Sequence, residues 1–361
     1  MIEIMLILLK IVCCLYILLN IILLIGINLQ KNNFQSEKNN FSIIVAAQNE
    51  EKNIAELLNI LISQNYPKDK YEIIVVNDRS FDGSVEVVEK FENVKLINVT
   101  ELESNYFGKK NALRIGIENA KNEILVFTDA DCLPNINWLS EINKLYESNT
   151  GAIVGYSPYI NNSKLNCLLN EFIQYEELKA NLIGFSVIGL GGGIIASGRN
   201  FSYRKKVYDE VNGFRDINHS LSGDDDLFLQ TIVNKTNWKI KYMNSEESFV
   251  FTNSKNSFKE FFVQRLRHLS ASKFYSFVGK LIFSAIHINS IIILIAFLFS
   301  FSLAIKFFLL KLIIDFTFIS FGKLKLNSNL NLLKVFYLEV FLIAYYFLFG
   351  VISLIKKPKW N

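Results

Sequence analysis

Three long, nearly unbroken apolar stretches flank a middle region in which short apolar runs alternate with amphipathic ones. "IMLILLKIVCCLYILLNIILLIGI" opens the chain, interrupted only by Lys10 and Asn20, and is long enough to cross a bilayer. No small-residue cleavage site follows a short apolar core, so the pattern predicts a retained anchor, not a removed signal peptide. "LIFSAIHINSIIILIAFLFSFSLAI" and "VFYLEVFLIAYYFLFGVISLI" near the end are two further candidate spans. Between them, Lys306, Lys311 and Asp315 interrupt "KFFLLKLIIDFTFISFG". Each would cost roughly 2.5–3.5 kcal/mol at a bilayer centre, which favours an interfacial helix over Lys306–Phe321. Two topologies stay open: two later spans with "KKPKW" on the cytosolic side, or three with "KKPKW" outside.

The middle reads as strands alternating with helices. "FSIIVAAQ", "YEIIVVND", "VKLINV" and "EILVFTDAD" are apolar enough to be strands buried on both faces. "EEKNIAELLNILISQ" places Ile54, Leu57, Leu58 and Leu61 at i, i+3, i+4 and i+7 of an amphipathic helix that Pro67 ends. "FDGSVEVVEKF" and "GKKNALRIGIENA" read as the next two helices. Such alternation predicts an α/β fold with a mostly parallel sheet covered by helices, whose ligands bind at the carboxyl ends of the strands.

Composition agrees with this division. Of 361 residues, 51% are hydrophobic, too many for an ordinary soluble enzyme, and the excess sits in the flanking stretches. The polar linker "QKNNFQSEKNN" marks the start of the middle. The expected organisation is an anchor at 1–29, a globular domain at 30–276 and a membrane region of two or three helices at 277–361. Cys13, Cys14, Cys132 and Cys167 form no spaced pattern, and His219, His268 and His287 are scattered, so neither a disulfide framework nor a zinc centre is expected. A net charge of +4 points to no particular partner, and no nucleic-acid partner is expected.

The predicted strand ends are where chemistry gathers. The first ends on Gln48, Asn49 and Glu50, the second on Asn77, Asp78 and Arg79, and the fourth on Asp129 and Asp131 with only Ala130 between. Each alone reads as a cap or turn. Three such ends on one rim read as a ligand site. Two carboxylates so close repel each other unless a cation sits between them, and Mg²⁺ or Mn²⁺ uses such a pair together with substrate phosphates. No Walker sequence is present, and "GLGGGI" is not a dinucleotide fingerprint.

Taken in order, these motifs resemble the family-2 glycosyltransferases, inverting enzymes that use nucleotide sugars. The resemblance covers about Phe41–Ser272. "VAAQNEEKNI" is similar to the family's opening nucleotide-binding strand, "VVNDRSFDGS" to the segment that reads base and ribose through Asp78, and "GKKNAL" to the loop that brings Lys109 near the diphosphate. "TDAD" resembles the metal-binding Asp-x-Asp, which implies that Asp131 and Asp129 hold the metal. "ASGRNFSYRKKVYDEVNGF" resembles the acceptor-side strand and helix, with Gly198 and Asn200 at the pocket wall and Gly213-Phe214 as helix cap and core anchor. "LSGDDDLFLQ" resembles the acidic catalytic segment, which makes Asp225, with Asp224 next, the general base.

"QRLRH" resembles the Gln-x-x-Arg-Trp signature of membrane-embedded synthases, with His268 in place of Trp. That resemblance places Arg265 and Arg267 near the leaving diphosphate and Gln264 and His268 beneath the acceptor. Helical spacing puts Gln264, Arg267 and His268 on one face and turns Arg265 elsewhere. The resemblance implies transfer from a nucleoside diphosphate sugar to an acceptor hydroxyl, with inversion. The basic helix and flanking spans imply a lipid-linked or amphiphilic acceptor, and a lipid bilayer of the plasma (inner) membrane with the catalytic domain facing the cytoplasm. A processive polysaccharide synthase, a polyprenyl-phosphate sugar synthase and a non-catalytic nucleotide-sugar-binding envelope scaffold remain as alternatives.

Overall fold

The computed structural model describes residues 2–30, 37–99, 108–160, 167–254 and 257–355; most of the polar linker and the terminal "KKPKW" lie outside the described residues. The strands are β1 Phe41–Ala47, β2 Tyr71–Asn77, β3 Val94–Asn98, β4 Ile124–Asp129, β5 Cys132–Pro134, β6 Thr150–Gly155, β7 Tyr159–Ile160, β8 Phe201–Arg204, β9 Lys239–Met243 and β10 Val250–Asn253. The α-helices are α1 Ile2–Leu29, α2 Ile54–Ile62, α3 Ser84–Val88, α4 Lys109–Glu118, α5 Trp138–Leu145, α6 Cys167–Gly189, α7 Lys205–Glu210, α8 Asp226–Lys235, α9 Phe258–Ala271, α10 Phe277–Ala296, α11 Phe301–Lys325 and α12 Val335–Ile355. All four expected strands form. The helix expected over "FDGSVEVVEKF" shrinks to the short α3.

Seven strands make the main sheet in the order β3-β2-β1-β4-β8-β6-β9. β3, β2, β1 and β4 are parallel, and register places Ala47 opposite Asn77 and Ala46 opposite Asp129, so the three polar strand ends are level. β8 runs antiparallel to both β4 and β6. Its start therefore meets the end of β4, and this reversal delivers Gly198, Arg199 and Asn200 to the same rim. Both faces are covered. Leu57, Leu58, Trp138 and Leu139 from α2 and α5 pack on one, and Ala112, Leu113 and Ile117 from α4 on the other. Continuous apolar strands follow from this two-sided burial. A small second sheet, β5-β10-β7, closes the end near the rim.

The long helices pack directly on this domain. α1 crosses α6 where Gly26 and Gly189 touch backbone to backbone; a Cβ on either would collide with a carbonyl of the other helix. The side chain of Gln30, just beyond α1, then brackets Tyr242 of β9: its Nε2 donates to the Tyr242 carbonyl at 2.5 Å and its Oε1 accepts the Tyr242 N–H at 2.8 Å. Among the described residues, three helices are long and apolar enough to cross a membrane, within Ile2–Leu29, Phe277–Ala296 and Leu332–Phe349. The second expected span therefore stops at Ala296, short of the predicted run to Ile305, because the chain turns before α11 begins.

α11 packs in one bundle with α1, α10 and α12, although the run Lys306–Phe321 is not itself among the candidate spans. Far from the sheet, Leu9 of α1, Ile293 and Ala296 of α10 and Ala304 of α11 share one cluster. At its other end the Lys325 carbonyl accepts Asn244 Nδ2, just after β9. α11 thus runs beside α1 and antiparallel to α10, as a rod of the same bundle. The charges that argued against this are paired. Lys311 Nζ lies 2.6 Å from both Asp315 and Glu339, and Lys179 of α6 lies 3.1 Å from Asp315 and 2.8 Å from Glu339. Tyr16 and Tyr175 donate their hydroxyls to Asp315 and Glu339, both at 2.5 Å. Two cations, two anions and two phenols from α1, α6, α11 and α12 satisfy one another, which removes most of the penalty of an isolated buried charge.

Candidate active site

A cavity of about 610 Å³ opens at the carboxyl ends of β1, β2 and β4 and extends to α10 and α12. Asp78, Lys109, Asp129 and Asp131 line it on the sheet side. Gly198, Arg199 and the run Asp224–Asp226 line it from the acceptor-side elements, and Gln264, Arg265, Arg267 and His268 from α9.

Gln48 and Glu50 also line the cavity. Asn49 does not. It is exposed, takes φ +58° and accepts the Phe81 N–H with Oδ1 at 3.0 Å, so it fastens two loops together. Asp78 is buried at the end of β2 and pairs with Arg79 Nε at 2.9 Å. Asn77 is turned inward, its Nδ2 donating to Asn98 Oδ1 at 2.9 Å.

Lys109, at the first turn of α4, pairs with Asp129. Burial alone would raise the Asp129 carboxyl, but Lys109, with Arg199 and Arg267 beyond it, outweighs burial and holds it below the ordinary range. Burial would lower Lys109, yet Asp129, Asp224 and Asp225 together push it up. Asp129, Asp131 and Cys132 present ligating atoms within 4.8 Å of one another. Burial raises the Cys132 thiol, so it keeps its proton and is no ligand for a hard cation. The donors left are two carboxylates at the cavity wall, the set that Mg²⁺ or Mn²⁺ accepts beside substrate phosphates.

Across the cavity, the acidic run ends in the N-cap of α8. Asp225 Oδ1 accepts the Asp226 N–H at 2.7 Å and Oδ2 accepts the Gly198 N–H at 3.0 Å. Burial and the neighbouring Asp224 raise the Asp225 carboxyl, against the pull of these two amides. Asp226 is raised well above the ordinary range by burial and by Asp225, while Tyr275 donates its hydroxyl to it. A buried Lys110 supports the loop behind, donating to the carbonyls of Ser220 at 2.7 Å and Ser222 at 3.1 Å.

Two further expectations change. Asn200 is fully buried and does not line this cavity. Its Oδ1 accepts Trp138 Nε1 and its Nδ2 donates to the Tyr156 and Ser248 carbonyls, all at 2.9 Å, so it is a structural bracket. Arg265 is not turned away from the domain. It is buried and ion-paired with Glu176 of α6 at 2.5 Å, which commits its guanidinium to a carboxylate.

The sequence reading missed Arg199, Glu176 and Glu177. Arg199 lies between the two residues it named, binds Glu177 at 2.6 Å and stacks 4.8 Å over the Tyr159 ring. The two glutamates sit mid-helix in α6, where "YEEL" carries no signal that one face looks into a site.

Comparison with known proteins places this geometry. Residues 42–211 match the model for glycosyl transferase family 2. That segment is similar to the family-2 glycosyl transferases. The match ends at Val211, before the acidic run and α9. The chain is 40% identical over 91 residues to the poly(ribitol-phosphate) beta-N-acetylglucosaminyltransferase TarS of Staphylococcus aureus, covering 25% of this chain and 16% of TarS. It is 37% identical over 102 residues to the glycosyltransferase AglE of Haloferax volcanii, covering 27% and 32%. It is 29% identical over 201 residues to the probable glycosyltransferase YdaM of Bacillus subtilis, covering 52% and 46%. The chain thus spans under half the length of these curated relatives. In fold it is similar along 99% of its length to the whole of a mannosyltransferase structure, PcManGT from Pyrobaculum calidifontis, with a TM-score of 0.64 and 18% identity. The sheet domain therefore carries its long helices in an arrangement that another solved protein shares.

Proposed function

We propose that this protein transfers a sugar from a nucleoside diphosphate sugar to a hydroxyl of a lipid-linked or amphiphilic acceptor, with inversion, at a membrane. One observation carries the reading. The metal-type carboxylates, the raised acid at the head of α8 and residues of two long apolar helices all face a single cavity. In this reading residues 1–29 anchor the chain, 30–276 form a cytoplasm-facing catalytic domain and 277–361 a region of the plasma (inner) membrane.

Asp78 takes the nucleoside, with Gln48 and Glu50 beside it. Asp129 and Asp131 hold a divalent cation, Mn²⁺ or Mg²⁺, which when bound screens the diphosphate charge. A protein of this fold, PcManGT, holds GDP-Man and Mn²⁺ together. Lys109 and Arg267 add positive charge beside the leaving diphosphate. Asp225 accepts the proton of the attacking hydroxyl, and its raised pKa suits a base that must not stay ionised too tightly. The two amides on Asp225 fix which lone pair faces the acceptor.

The test is a thermal-shift and donor-hydrolysis panel of nucleoside diphosphate sugars with Mn²⁺ or Mg²⁺. Metal-dependent stabilisation and slow hydrolysis by one donor class support the reading. Stabilisation without any hydrolysis or transfer would leave a binder and sink it.

A further inference from the structure

Gly198 and Arg199 form the turn that leads into β8, beside the end of β4 where Asp129 stands. Gly198 sits between the two ends of the proposed reaction. A Cβ on it would lie 3.7 Å from Nζ of Lys109, the partner of Asp129, and 3.6 and 3.8 Å from the Asp224 and Asp225 carboxylates. In a displacement with inversion, the leaving diphosphate and the attacking hydroxyl stand on opposite sides of the anomeric carbon. The sugar being transferred must then lie between the Asp129 side and the Asp225 side, along this turn. Arg199 is the next residue and lines the same cavity.

Three contacts fix the Arg199 guanidinium. Nη2 donates to Glu177 Oε1 at 2.6 Å, Nε donates to Ser197 Oγ at 2.9 Å, and the group stacks 4.8 Å from the centre of the Tyr159 ring. Glu177 is buried, and the same oxygen also accepts Asn181 Nδ2 at 3.1 Å. Among the described residues Nη1 donates to no acceptor, so one edge of a fixed planar donor is left for a ligand. A side chain held this way loses little rotamer freedom on binding. Its charge, by contrast, is already balanced. Glu177 pairs with it, and Asp224 and Asp225 stand on the same wall. A sugar carboxylate placed here would meet three protein carboxylates for one paired guanidinium, whereas a hydroxyl or an amide carbonyl needs only the N–H.

We infer that Arg199 is a specificity-determining residue of this site: its Nη1 edge hydrogen-bonds a hydroxyl or amide substituent of the transferred sugar, and its pairing with Glu177 restricts that sugar to one without an acid group. The inference rests on the transferase reading above for its donor, but its test reads binding and does not depend on sugar transfer.

The test is titration calorimetry of the full-length chain in detergent with Mn²⁺. The probes are UDP-glucose, UDP-glucuronate and UDP, and GDP-mannose, GDP-mannuronate and GDP. The wild type is expected to bind a neutral sugar nucleotide about tenfold or more tightly than the matching uronate. Arg199→Lys keeps the charge and loses the planar edge. It should weaken the neutral donor about tenfold, the scale of one hydrogen bond from a charged donor, and leave the nucleoside diphosphate within about threefold. Glu177→Gln keeps an acceptor for Arg199 and removes the balancing charge, so it should narrow the preference against the uronate by about fivefold or more. A folding defect weakens all ligands together and cannot produce that relative gain. If one variant fails to fold, the wild-type preference and the other variant still decide. Equal losses of donor and nucleoside diphosphate in Arg199→Lys would place Arg199 on the diphosphate and overturn the inference. A wild-type preference for the uronate, or an unchanged preference in Glu177→Gln, would overturn it as well. Any of these results beside metal-dependent nucleotide binding counts against this inference alone, whereas absence of all nucleotide binding in the wild type would sink the transferase reading together with it.

Discussion

Asp225 Oδ2 accepts the backbone N–H of Gly198 at 3.0 Å, joining the head of α8 to the segment that leads into β8 beside the end of β4, where Asp129 and Asp131 stand. This contact fixes which of three adjacent acids is held on the cavity wall by backbone amides at both oxygens.

Asp225→Asn keeps size and one of the two accepted backbone hydrogen bonds but accepts no proton. Transfer is expected to fall about 10²- to 10⁴-fold with donor affinity within threefold of wild type. Because burial and Asp224 raise the Asp225 carboxyl, the acid limb of the wild-type rate profile should lie above the ordinary aspartate range. Rate profiles of Asp224→Asn, Asp225→Asn and Asp226→Asn check this; near wild-type rates in all three would move the base elsewhere.

Asp131→Ala and Asp129→Ala should each abolish the metal-dependent part of nucleotide-sugar stabilisation and leave the apo melting temperature within a few degrees. Titration of each variant with Mn²⁺ at fixed donor, followed by thermal shift, reads this. Full-strength metal dependence in either variant contradicts the assignment.

Asp226 carries a folded-state pKa raised by burial and Asp225. Such a group costs stability once pH exceeds its unfolded value, because ionisation is easier in the unfolded chain, and costs nothing when protonated in both states. Asp226→Asn keeps an acceptor for Tyr275 and should raise the melting temperature at pH 8 but not at pH 4. A gain of equal size at both pH values would refute the electrostatic origin.

Asn200→Ala removes three buried hydrogen bonds that link Trp138, Tyr156 and Ser248. Loss of about 2 kcal/mol or more is expected, since the partners stay buried and unpaired. The Michaelis constant for the donor should not change, and a large rise at unchanged stability would restore Asn200 to the site.

Glu339→Gln leaves Lys179 and Lys311 sharing Asp315 alone. Breaking a buried pair costs about 3–5 kcal/mol, so a marked drop in melting temperature in detergent is expected. If stability is unchanged, the helices are held by apolar packing and not by this cluster.

The sequence by itself determined the parallel half of the sheet, its rim of acids and the apolar helices. These are local: burial on both faces demands continuous apolar strands such as Ile43–Val45 and Ile73–Val76, and carboxylates such as Asp129 and Asp131 stand out at their ends. The pairing partners were not local. Whether Arg265 meets a diphosphate or Glu176 depends on how α9 docks on α6, and Asn200 became a bracket because β8 enters antiparallel and turns its amide inward. Lys311 and Asp315 looked too costly for a buried helix because a single segment shows only their own charge. Their partners Lys179 and Glu339 lie far along the chain, and only the tertiary structure brings the four together.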